Sequence, residues 1–139
     1  MTASSLRLYK KQKLCSPTAI DRLFGRAAGV THSALAYPLR AVWMHNAERR
    51  SDAELAFLIS VPKKRLRHAV DRVTMRRRIR EAYRLCHRDY VGAEPVAPER
   101  RIDVAFIYVA TELRPYADVA RAVGKLMTKI TAAAAEPCQ

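Results

Sequence analysis

A chain of 139 residues with 26 Lys and Arg against 13 Asp and Glu carries a formal charge of +13, while half of it is apolar. The apolar half rules out a disordered basic tail and suffices for one domain with its own core. The charge calls for a polyanionic partner, either nucleic acid or an anionic membrane, because a compact domain this basic repels itself; a basic surface with no partner is the bland alternative.

Three scattered cysteines (Cys15, Cys86, Cys138) and four histidines (His32, His45, His68, His87) show neither C-x-x-C spacing nor a ligand set. They argue against a zinc site and a disulfide framework, and free thiols fit a reducing compartment. No apolar run of signal-peptide or membrane-span length follows Met1, so a cytoplasmic location without a membrane partner is expected.

Along the chain, residues 1–14 read as a basic arm and residues 132–139 as a frayed tail, flanking a single domain within 1–139. A helix is expected from Ser16-Pro17, an N-cap followed by a first-turn proline, with Ile20, Leu23, Phe24 and Ala27 on one face and Gly29 as its stop. Residues 34–44 read as a strand with Leu35, Tyr37, Leu39, Ala41 and Trp43 on one face. Pro38 marks an edge or a bulge, and a further short strand has room within 28–44. After a polar turn at 45–52, Glu54 to Val61 is so continuously apolar that a central, buried strand is expected.

Pro62 ends that strand, and a basic connection leads into a helix from about Ala69 to His87. Gly92, Pro95 and Pro98 mark a loop, Ile102 to Ala110 another buried strand, and Tyr116 to Thr131 a last helix with Val119, Val123, Met127 and Ile130 inward. The order gives an α+β fold, a small αβ sandwich in which helices pack on a short sheet containing a βαβ unit.

The charge is concentrated. Residues 63–88 hold eleven Lys or Arg and two acids, Asp71 and Glu81. At about 100° per residue, Arg76, Arg80, Arg84, Arg77 and Arg88 fall in one sector, with Arg72 at its border and Arg78 on the far side. Met75, Ile79, Ala82, Tyr83 and Cys86 fill the neighbouring apolar sector. Like charges four apart cost an isolated helix about 0.2–0.5 kcal/mol per pair, so the row is unfavourable unless an anion such as phosphate sits against it. A solvated basic face is the alternative. A membrane-surface helix would need larger apolar side chains than Met, Ile, Ala and Cys.

Here a family resemblance emerges. Ser60-Val61-Pro62-Lys63-Lys64, then Ala69-Val70-Asp71-Arg72, then Arg76-Arg77-Arg78-Ile79-Arg80-Glu81-Ala82-Tyr83-Arg84 resembles the signature of bacterial ribonuclease P protein subunits. The likeness extends over roughly residues 8–131, with Leu14 to Phe24 similar to the family's first helix and Asp103 to Tyr108 to its last strand. Two departures stand out: Arg72-Val73-Thr74 replaces the family's Arg-Asn-Arg, and Ile20 replaces an aromatic one turn before Phe24.

The resemblance implies an αβ sandwich with a left-handed βαβ crossover, shared with some ribosomal protein domains. It implies a protein subunit that binds the catalytic ribonuclease P RNA and the 5′ leader of precursor tRNA, needs no protein partner, and assists leader removal. Magnesium, held mainly by the RNA, would be the cofactor, and no residue of this chain would be catalytic or metal-ligating. The RNA-binding set is then Lys63, Lys64, Arg65, Arg67, Arg72, Arg76, Arg77, Arg80 and Arg84. Phe24, Tyr37, Arg40 and Trp43 are leader-binding candidates, since single strands take stacking faces and cations; core packing is the competing reading of each aromatic.

Three other readings stay open on residues alone. A structured-RNA-binding module, such as a ribosomal protein, would use the same helix. A helix-turn-helix DNA binder is disfavoured by strands flanking that helix. A protein nuclease is disfavoured because no Gly-rich phosphate loop, His pair or acidic cluster appears.

Overall fold

The computed structural model describes residues 32–45, 54–90, 96–97 and 100–135. The expected arm at 1–14, the helix from Ser16 with Phe24, most of the polar turn at 45–52, whose His45 instead ends a strand, and most of the loop at 91–100 lie outside the described residues.

Four strands form one mixed sheet: β1 (His32–Ala36), β2 (Leu39–His45), β3 (Leu55–Ser60) and β4 (Ile102–Tyr108), in the order β1-β2-β4-β3. β1 and β2 form an antiparallel hairpin, β2 runs antiparallel to β4, and β3 runs parallel to β4. The helix α1 (Ala69–Cys86) connects β3 to β4, and α2 (Tyr116–Ala135) follows β4.

The expected strand at 34–44 is in fact two strands. Pro38 has no N–H to offer a ladder, and the chain reverses at Tyr37-Pro38, whose peptide bond is cis. The reversal changes which residues share a face. Leu35 pairs with Arg40, whereas Ala36 pairs with Leu39 and Ala34 with Ala41. Leu35 therefore leaves the face of Leu39, Ala41 and Trp43, and it is 60% exposed.

β3 is likewise not central. Among the described residues it pairs with β4 alone, so it is an edge strand. Its continuous apolar run reflects burial of both faces at its start, where Leu55, Ala56 and Phe57 are all buried, and says nothing about its rank in the sheet.

Both helices pack on the face formed by Leu39, Ala41 and Trp43 of β2, Phe57 of β3 and Val104, Phe106 and Tyr108 of β4. α1 buries Met75, Ile79, Ala82 and Tyr83, as its periodicity requires, with Cys86 half-buried at its end. Tyr83 is the hub. Its ring lies 4.4 Å from that of Phe57 and 5.8 Å from that of Phe106, within the range in which aromatic pairs gain beyond their burial. α2 buries Val119, Val123, Met127 and Ile130 together with Ala122 and Leu126, and runs one turn beyond Thr131. On the other sheet face Met44, Ala56 and Ala105 form a smaller apolar group beside Val42, Leu58 and Ile107.

Candidate nucleic-acid interface

The basic connection is an ordered turn. Arg65 and Leu66 donate backbone N–H bonds to the Pro62 carbonyl at 3.0 and 3.3 Å, and Leu66 is buried in the core. One turn into α1, the Arg72 guanidinium donates to the carbonyls of Leu66 and Arg67, both at 2.9 Å. An apolar anchor and a guanidinium staple thus fix the segment, so that Lys63, Lys64 and Arg67 point outward from it, all exposed, with Arg65 half-buried.

The arginine row of α1 divides into tied ends and a free middle. Arg72 is engaged with the turn. Arg84 is held by Glu81 through two parallel bonds, Nε to Oε1 at 2.9 Å and Nη2 to Oε2 at 2.7 Å. That pairing lowers the pKa of Glu81 from its usual value and raises that of Arg84, so both stay charged. Between them Arg76, Arg77 and Arg80 are exposed and make no hydrogen bond or ion pair among the described residues. Arg78, on the far side, donates to the Arg114 carbonyl at 2.6 Å and ties α1 to the segment before α2.

Among the described residues, six cations with no side-chain hydrogen bond or ion pair therefore lie on two adjoining elements: Lys63, Lys64 and Arg67 on the turn, Arg76, Arg77 and Arg80 on the helix. Val70 and Val73 are exposed beside them, and Val73 places an apolar side chain where the family pattern has a polar one.

The leader candidates do not converge. Trp43 is 5% exposed and packs in the core on the helix side, with His32 stacked against it at 5.8 Å. Arg40 is exposed on the opposite sheet face, across from Ile107. Tyr37 stands at the hairpin turn, 57% exposed, with the Arg114 guanidinium 5.4 Å from its ring centroid. Phe24 lies outside the described residues.

The remaining reactive groups belong to the scaffold. Burial, with the Asp89 charge adding to it, pushes the Cys86 thiol up to about 11, so it stays protonated near neutrality. His87 is buried and stacks on Tyr83 at 5.3 Å. Its Nδ1 lies 2.8 Å from the Arg84 carbonyl and 3.2 Å from that of Tyr83. Two carbonyl acceptors require a proton on Nδ1, so His87 closes the C-terminal end of α1. Among the described residues no three His, Cys, Asp or Glu side chains gather to hold a metal ion.

Sequence reasoning missed the engagement of Arg72 and Arg78, because both bond to main-chain carbonyls that only the tertiary fold brings near. The Glu81–Arg84 pair was readable, as an i, i+3 spacing of opposite charges.

Fold and charge define a class: a small basic α+β protein with a cation-lined face. The comparisons narrow it. The ribonuclease P family model matches residues 8–131. The ribonuclease P protein components of two Porphyromonas gingivalis strains are each 36% identical over 125 residues, covering 88% of this chain and 85% of the relative. Two structures of the Staphylococcus aureus RNase P protein superpose with a TM-score of 0.62. One is 18% identical and covers 86% of this chain and 94% of its own; the other is 17% identical and covers 96% and 99%. The chain belongs to the ribonuclease P protein component family. Its role is that of the auxiliary protein subunit of an endoribonuclease in tRNA processing.

Proposed function

We propose that the turn at Lys63–Arg67 and the outer face of α1 form the surface that grips the catalytic RNA of ribonuclease P. The observation that carries this reading is the group of six uncompensated cations on two elements that are themselves held rigid. Arg76, Arg77 and Arg80 offer planar forks to phosphate oxygens, and the two lysines act as point charges. About six neutralised phosphates correspond to a loss of about 10³ in affinity between about 50 and 200 mM salt.

The finer assignments follow from the same chemistry. The sheet face carrying exposed Arg40 beside Val42 and Ile107, together with Phe24, is assigned to the single-stranded 5′ leader of precursor tRNA; Trp43, enclosed in the core, is left out of it. The magnesium of the holoenzyme is assigned to its RNA, and the site of action to the cytoplasm.

The test is cleavage of a 5′-extended precursor tRNA at low magnesium by the cognate RNA, with and without this protein. Wild-type protein is expected to stimulate cleavage. Arg76→Ala/Arg80→Ala is expected to weaken RNA binding by at least about tenfold, since hydrogen bonds to charged groups are worth about 1.5–3 kcal/mol each. A wild-type protein that binds RNA tightly yet leaves cleavage unchanged would favour a structured-RNA-binding module and overturn the proposal.

A further inference from the structure

A second cation-lined surface is built on α2 and the hairpin turn, apart from the outer arginine face of α1. The hairpin turn, the segment before α2 and one flank of α2 enclose a cleft of about 130 Å³, lined by Tyr37, Arg114, Asp118, Arg121 and Lys125 among others. Its walls are fixed by main-chain contacts. The Val109 N–H donates to the Pro38 carbonyl at 2.9 Å, which ties the turn to the end of β4. The Tyr108 hydroxyl donates to the Glu112 carbonyl, and Arg78 donates to that of Arg114.

Inside the cleft three cations face one acid. Asp118 lies 3.4 Å from Arg114 and 3.7 Å from Arg121, orienting both guanidinium groups without neutralising them together. Glu112 approaches Arg114 at 3.3 Å from the solvent side, with its side chain 71% exposed. Lys125 has no hydrogen bond or ion pair among the described residues. One turn further along α2, Lys129 donates to the Leu35 carbonyl of β1 at 3.3 Å, which extends the positive row along the sheet edge. Tyr37 supplies an exposed ring backed by the Arg114 guanidinium.

An open aromatic face beside cations that outnumber their acidic neighbours is the chemistry that receives single-stranded nucleic acid: the ring stacks a base and the cations take the adjoining phosphates. The geometry differs from that of the α1 face. α2 packs over β1 and β2 and α1 over β3, at opposite ends of the sheet order, so one RNA contact does not account for both.

We infer that the cleft between the hairpin turn and α2 is a second RNA-binding site, which takes an unpaired nucleotide with its base on Tyr37 and its phosphate on Arg121 and Lys125. The inference rests on the ribonuclease P reading for the identity of the ligand as RNA. The unpaired nucleotide comes either from the catalytic RNA or from the precursor, and the two arms of the test separate these sources.

The test uses the holoenzyme assembled from this protein and its cognate RNA. One arm measures protein affinity for the catalytic RNA alone; the other measures affinity of the holoenzyme for precursor tRNA. In one arm Arg121→Ala/Lys125→Ala is expected to weaken binding by about tenfold. It should also reduce the slope of log affinity against log salt by about 1.4, the loss of two single-strand phosphate contacts. In the same arm Tyr37→Leu is expected to weaken binding at least about fivefold, with Tyr37→Phe close to wild type. Because Tyr37 carries no charge, its effect reports local stacking and not the overall field. Loss in the first arm assigns the site to the catalytic RNA, and loss in the second to the precursor. Affinity within twofold of wild type and an unchanged salt slope in both arms, for variants with unchanged thermal unfolding, would overturn the inference. A wild-type protein that failed to stimulate cleavage would instead defeat the family-based proposal, so the two failures are distinguishable.

Discussion

The two helices lie side by side on one sheet face, and they divide the work unequally. α2 commits Val119, Ala122, Val123, Leu126, Met127 and Ile130 to the core, all buried. α1, nearly as long, buries Met75, Ile79, Ala82 and Tyr83, and gives the rest of its circumference mainly to charge. A fully buried aliphatic side chain contributes about 1.5–3 kcal/mol, whereas a row of like charges subtracts from helix stability. Stability is therefore drawn mainly from α2, while α1 offers the larger cationic face; Tyr83 anchors α1 to Phe57 and Phe106 of the sheet, and the Arg78–Arg114 bond ties it to the segment before α2.

The division can be broken at three points, in descending order of effect. Leu126→Ala removes a fully buried side chain from α2, and chemical denaturation should show a loss of about 2–5 kcal/mol. The fraction that stays folded should bind RNA as wild type does; a large fall in its affinity would show that the buried face of α2 also shapes the RNA-binding surface. Arg72→Ala should cut across the division, because this side chain belongs to the binding helix yet holds the turn. Stability should fall by about 1 kcal/mol and RNA affinity several-fold, as measured by denaturation and by fluorescence anisotropy. An effect on affinity alone would mean that Arg72 meets RNA directly and the staple is incidental. Gly124→Ala sharpens the role of α2 by a small gain. An added Cβ meets nothing within 4 Å, so relief of the glycine's helix penalty should raise stability by about 0.5–1 kcal/mol and leave binding unchanged.

These helices were the most legible part of the sequence, since periodicity alone sorts Met75, Ile79, Ala82 and Tyr83 from Arg76, Arg77 and Arg80. The sheet was less so. Pro38 announced an interruption, but whether a proline makes a bulge or a reversal depends on whether the following segment finds a partner, and that partner, β4, lies some sixty residues away. The position of β3 was hidden for the same reason: apolar side chains record burial of the faces, while rank in a sheet is set by main-chain bonds that composition does not encode. In the candidate interface, side-chain type and helical phase identified the cations. Which of them are free depends on Glu81, on the carbonyls of Leu66 and Arg67, and on the turn that brings them to Arg72. The cleft at Tyr37 was out of reach, because Tyr37 and Arg114 meet only once the hairpin turn and the end of β4 are joined.

The edge position of β3 has a consequence for the subunit before it meets RNA. Among the described residues, Leu55–Ser60 has a ladder on one side only, and an apolar strand of that kind is a template for pairing with another copy. Lys63, Lys64, Arg65 and Arg67 follow directly after it, so two copies aligning in parallel along this edge bring like charges together. The cations proposed to grip RNA thereby also guard the free subunit against aggregation, and neutral substitutions in the turn would remove that guard.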